Sequence, residues 1–123
     1  MTGISNYAED KLLDAVLNNA SYAAGGDPYV KLHTGDPGEA GTSNAAAETT
    51  RKQASFNAAS GGSCALASSI SWTSYPAAET VSHISLWDNV SAGNCLWKGA
   101  LSSSVTMAIG DTLTISAITV TLD

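Results

Sequence analysis

The sequence predicts a mainly β domain, an antiparallel β-sandwich with one N-terminal α-helix. Three observations predict it. Apolar residues recur at helical spacing only near the start, through Leu12, Leu13, Val16 and Leu17. From Tyr29 onward they recur at every second residue instead. Turns rich in Gly, Pro and Asn then break the chain at roughly ten-residue spacing, the rhythm of an antiparallel sandwich.

The helix is expected over residues 6–19. Asn6 is a candidate cap, with Glu9 at capping-box spacing. Glu9 and Asp10 lie in the first turn, where the helix dipole favours negative charge. Asn18 and Asn19 end the helix, and Gly25-Gly26-Asp27-Pro28 closes the segment. The sandwich is expected over residues 29–123. Its first strand, 29–33, puts Val30 and Leu32 on one face. Residues 35–41 are a loop on turn chemistry, and 42–52 read equally as coil or a short helical turn. Short strands follow at 53–56 and around Ile70 and Trp72. Residues 81–87 alternate, a hairpin loop spans 88–94, and the return strand runs from Cys95 to about Leu101. After the Gly110-Asp111 turn the phase slips. Leu113, Ile115 and Ala117 hold one face, and Ile118, Val120 and Leu122 the other. The slip predicts either a bulge or bend near Ala117-Ile118 or a strand that crosses between sheets.

A chain of 123 residues makes one domain, 1–123, with enough length for a real core. Only 13% of residues are charged and 44% are hydrophobic, which argues against disorder and against a membrane span. No basic-then-apolar leader follows Met1, so export by a signal peptide is not expected. The net charge of -6 opposes nucleic-acid binding, which needs phosphate neutralisation. Ala, Ser, Thr and Gly dominate, while Phe and Arg each occur once. Small residues suit close strand packing and supply little material for a catalytic cluster.

Several segments together resemble a family of short bacteriophage virion proteins. They are Ser5 to Asp14 (SNYAEDKLLD), Tyr29 to Thr42 (YVKLHTGDPGEAGT) and Phe56 to Gly62 (FNAASGG). Val81 to Asp88 (VSHISLWD), Gly93 to Leu101 (GNCLWKGAL), Gly110 to Ile115 (GDTLTI) and the ending Leu122-Asp123 continue it in order. Members of that family are described as tail-fibre-like, minor tail or head decoration proteins. The resemblance implies a β-rich structural protein of a tailed-phage virion and carries no catalytic motif. The sequence departs from it at residues 43–52, which are Ala-rich where relatives tend to be Gly-rich.

The chemistry available to this chain is sparse. His33 and His83 lie in strand patterns without close paired spacing, so no metal site and no cofactor is expected. Cys64 and Cys95 are not in a CxxC arrangement. They read as small buried hydrophobes, or as a disulfide formed late, within or between subunits. Glu9, Asp10 and Asp14 read as a solvated helix face. Trp87 and Trp97 flank the 88–94 loop and read as core, as interface anchors or as a glycan-stacking platform. No catalytic residue is assigned and no enzyme is expected.

The functional expectation is a structural protein of the virion, assembled in the host cytoplasm. Foremost is a capsid decoration (cement) protein that binds and stabilises the head shell. The alternative is a tail-associated fibre or appendage contacting the host surface. The expected partners are the protein itself, as a trimer, and the major capsid protein or another virion protein, with no nucleic acid and no membrane. Candidate interface residues are Leu12, Leu13, Val16, Trp87 and Trp97. The helix face is expected to pack on the sheet or on a neighbouring subunit. If it is buried, Leu13→Ala or Val16→Ala costs about 1–4 kcal/mol.

Overall fold

A computed structural model describes residues 3–23 and 25–122. The ends of the expected domain, Met1 and Asp123, lie outside them. The chain order is β1 (Gly3–Ile4), α1 (Asn6–Leu17), β2 (Tyr29–His33), β3 (Lys52–Gln53), β4 (Ser63–Ala65) and β5 (Ile70–Trp72). Then come β6 (Glu79–Trp87), β7 (Cys95–Met107), β8 (Leu113–Ile115) and β9 (Thr119–Thr121). Among the described residues the fold is mainly β with one helix, and every strand pair is antiparallel.

One five-stranded sheet has the order β1-β7-β6-β2-β3. Two small sheets, β4-β9 and β5-β8, complete a sandwich-like arrangement. The inner face of the large sheet carries Val30, Leu32, Ile84, Leu86 and Trp97. Trp72, Leu113, Ile115 and Ile118 meet it from the other side, in one core cluster. Trp97 lies over Gly99, where any Cβ would collide with the indole. Burial of these large side chains is the main stabilising term in a chain otherwise built of small ones.

The β6–β7 pairing is out of step twice. Val81 faces Val105 and His83 faces Ala100, so residues 101–104 bulge against Ser82. That bulge puts both Val81 and Ile84 in the core, three residues apart. Leu86 faces Trp97 and Trp87 faces Cys95, so Leu96 is extra. The late phase slip has the second of its two expected remedies. After Ile115 the chain leaves β5 and joins β4, with no single bulged strand.

Several boundaries differ from expectation. Ser5, not Asn6, is the helix cap, and its hydroxyl accepts from the Ala8 N–H. The expected 53–56 strand shrinks to Lys52–Gln53, with Phe56 in an isolated bridge to Leu66. Residues 42–52 hold no helix; Ala45 bridges to His33. The return strand extends to Met107. The helix face is also not buried in its own chain. Of the helix, only Ala8 is buried. Leu13 is 57%, Val16 77% and Leu17 78% exposed.

Two mutants check this packing in denaturant unfolding of the purified chain. Gly99→Ala should cost about 1–3 kcal/mol, because the Trp97 indole occupies the new methyl's place. Leu13→Ala should stay within about 0.5 kcal/mol, as an exposed position does.

Candidate functional site

The helix is tied to the sheet at its first turn. The Ser5 N–H donates to the Leu96 carbonyl at 2.9 Å, and the Ser5 hydroxyl donates to the Cys95 carbonyl. The Asn6 N–H donates to the Glu39 carboxylate at 3.1 Å. The helix ends at Asn18, whose N–H donates to the Asp14 carbonyl. Its outer side carries Leu13, Val16 and Leu17 in water, flanked by Glu9, Asp10 and Asp14. Under its inner side lies an apolar cavity of about 200 Å³, lined by Leu12, Tyr22, Leu86, Leu96, Trp97 and others.

A second surface feature is an open groove of about 480 Å³ between β7 and the β8–β9 segment. Its inner residues include Ile84, Trp97, Leu113, Ile115 and Ile118, all buried. Its rim is formed by residues 101–103 of the bulge, Val105 and residues 116–119. No charged side chain among the described residues lines it.

The outer face of the large sheet is covered by the 34–51 loop and holds a buried polar chain. The Ser43 carbonyl can only accept, so His33 Nδ1 carries the proton and donates to it at 2.9 Å. His33 Nε2 is then the acceptor, and the Ser85 hydroxyl donates to it at 2.7 Å. Ser85 in turn accepts from the Trp87 indole N–H at 2.7 Å. His33 and Ser85 are both 0% exposed. The buried Lys98 ammonium lies 3.5 Å from Asp36 and 3.4 Å from Glu39, both on the same loop. Arg51 stacks 3.9 Å over the Trp87 ring and donates to the Asn89 and Ala92 carbonyls. Gly41 passes so close that a Cβ would lie 2.7 Å from Cys95 Sγ.

The model of one protein family, described as podophage GP4 fiber I protein gp80, matches residues 3–123. The chain belongs to this family. It is therefore a phage structural protein and part of a virion. No curated protein sequence matches the chain.

For a member of this fibre-protein family, the candidate residues divide cleanly. Leu12, Leu13 and Val16 are exposed at the surface. Trp87 and Trp97 do not; both are buried within the chain, at 5% and 7% exposure. They also sit on opposite faces, because the extra Leu96 shifts the register between them. Cys64 and Cys95 are free thiols on different sheets. Cys64 donates to the Asn57 carbonyl and Cys95 to the Trp97 carbonyl. Burial pushes the Cys95 thiol pKa up, which lowers its reactivity. His33 and His83 face each other across β2 and β6, although their sequence spacing suggests nothing of the kind. Among the described residues no group of three His, Cys, Asp or Glu side chains could hold a metal ion. The polar chain under the loop escaped sequence reasoning, because strand register alone brings His33, Ser85 and Lys98 to one face.

Burial holds the His33 pKa below its ordinary value of 6.5, outweighing the hydrogen bond to Ser43. Above that pH both folded and unfolded chains are neutral at this residue. Below it the unfolded chain binds the proton first, so stability falls as pH drops below 6.5. His33→Gln should remove that part of the pH dependence in urea titrations at successive pH values. Ser85→Ala should cost about 1–3 kcal/mol at neutral pH, since it strands the Trp87 N–H.

Proposed function

We propose that the chain is a structural subunit of a phage fibre and works by docking, not by chemistry. The observation that carries this reading is the apolar row Leu13, Val16 and Leu17, exposed to water on a helix whose first turn is tied to β7 through Ser5. A soluble surface bears such a row at a cost unless a partner covers it. The family's description favours a fibre over the capsid shell. A structural role also agrees with the burial of the Ser85–His33 pair, which no substrate could reach. Its partners in this reading are further copies of itself and an adjoining virion protein.

Shell and fibre roles separate by experiment. Particles lacking the protein should lose adsorption to host cells while releasing DNA at the same temperature as complete particles. Quantitative mass spectrometry should find it in proportion to the fibres rather than the capsomers. Lowered DNA-release temperature with intact adsorption, and a capsomer-like copy number, would instead assign it to the shell as a cement protein, which acts by stabilising what it binds.

A further inference from the structure

We propose that His33 is a proton-operated latch. Neutral, it holds residues 41–47 of the 34–51 loop against the outer face of the large sheet; protonated, it releases them. The donor and acceptor count at the latch is the first argument. In the neutral ring the Nδ1–H donates to the Ser43 carbonyl at 2.9 Å, and Nε2 accepts from the Ser85 hydroxyl at 2.7 Å. Ser85 also accepts from the Trp87 indole N–H at 2.7 Å. A proton on Nε2 turns that acceptor into a donor. Ser85 would then face two N–H donors, and its own proton would lose its acceptor, where both side chains are 0% exposed. The closed loop therefore admits only the neutral ring.

The surrounding charges oppose the proton as well. Lys31 from β2 and His83 from β6 both act against a positive ring. Lys98 from β7 lies opposite Ser85 on the same face. The loop carboxylates Asp36 and Glu39 sit against the Lys98 ammonium and offset that charge. Glu48 accepts from the Thr50 N–H, and Arg51 stacks over Trp87. Besides the latch, few bonds hold residues 41–47 to the strands. The Thr34 N–H donates to the Asn44 carbonyl, the Ala46 N–H to the Leu32 carbonyl, and the Ala47 N–H to the Glu79 carboxylate. Gly41 packs against Cys95 and the Trp87 ring, so release uncovers both.

The test is amide hydrogen exchange of the purified full chain, corrected for intrinsic rates, and it is independent of what the helix row contacts. A ring that takes its proton only in the open loop, at its ordinary pKa of 6.5, makes the opening constant of residues 41–47 about 30-fold larger at about pH 5 than at about pH 7.5. Peptides spanning 95–99 should keep their protection. The His33 ring, followed by NMR, should titrate with the same midpoint as loop opening. His33→Gln, whose amide can donate to Ser43 and accept from Ser85 without titrating, should abolish the response, and His83→Gln should leave it. An opening constant that does not change with pH overturns the proposal. So does a response that survives His33→Gln, which belongs to carboxylates such as Glu39 or Glu79, or a loss of protection that includes 95–99, which is global unfolding. Should His33→Gln fail to fold, the wild-type ring decides. Titration in step with loop opening supports the latch, and titration with the loop still closed overturns it.

Discussion

The twice-interrupted pairing of β6 with β7 is the constraint on which the rest of the structure depends. Each interruption adds residues to β7, and each addition builds a surface feature. The extra Leu96 turns its carbonyl and that of Cys95 toward Ser5, which caps the helix there. The insertion at 101–104 forms one rim of the groove. Between the two, Ile84 and Leu86 stay in phase with Gly99 and Trp97, and the core is continuous. A bulge re-aims side chains without ending a strand, and here two bulges make a helix mount and a groove from one hairpin.

The opposite face of the same hairpin is closed by electrostatics and hydrogen bonds as well as by the packing of Trp87 and Cys95. Ser85 has one proton and two lone pairs, and it serves His33 and Trp87 together. Lys98 is buried yet sits against two loop carboxylates. A buried amine is tolerated when it is paired, so the 34–51 loop has a defined seat although it contains no helix and only one isolated bridge. A small-residue chain thus gains specificity on the sheet's outer face from a few fixed polar contacts.

Much of this was legible in the sequence, and the limits have physical causes. Local periodicity located the helix, β2, the β6–β7 hairpin and the phase slip before Ile118, because each is a short-range pattern. The cap was misplaced by one residue, since Ser5 and Asn6 are both good caps and only contact with Cys95 and Leu96 decides between them. The apolar spacing of Leu12, Leu13, Val16 and Leu17 is the same whether the face packs on its own sheet or on a neighbour. The burial of Trp87 and Trp97 agrees with the core reading of their strands, but their placement on opposite faces follows from long-range register, which the bulges alter. The facing of His33 and His83 has the same origin.

The central claim is the docking role proposed for the exposed row on the helix mounted on β7. Amide hydrogen exchange, compared between the purified chain and the assembled virion, tests it most directly. Protection in the peptide spanning 11–17 should be higher in the virion, while the peptide spanning 29–33 stays constant. Equal protection of 11–17 in both states would contradict it.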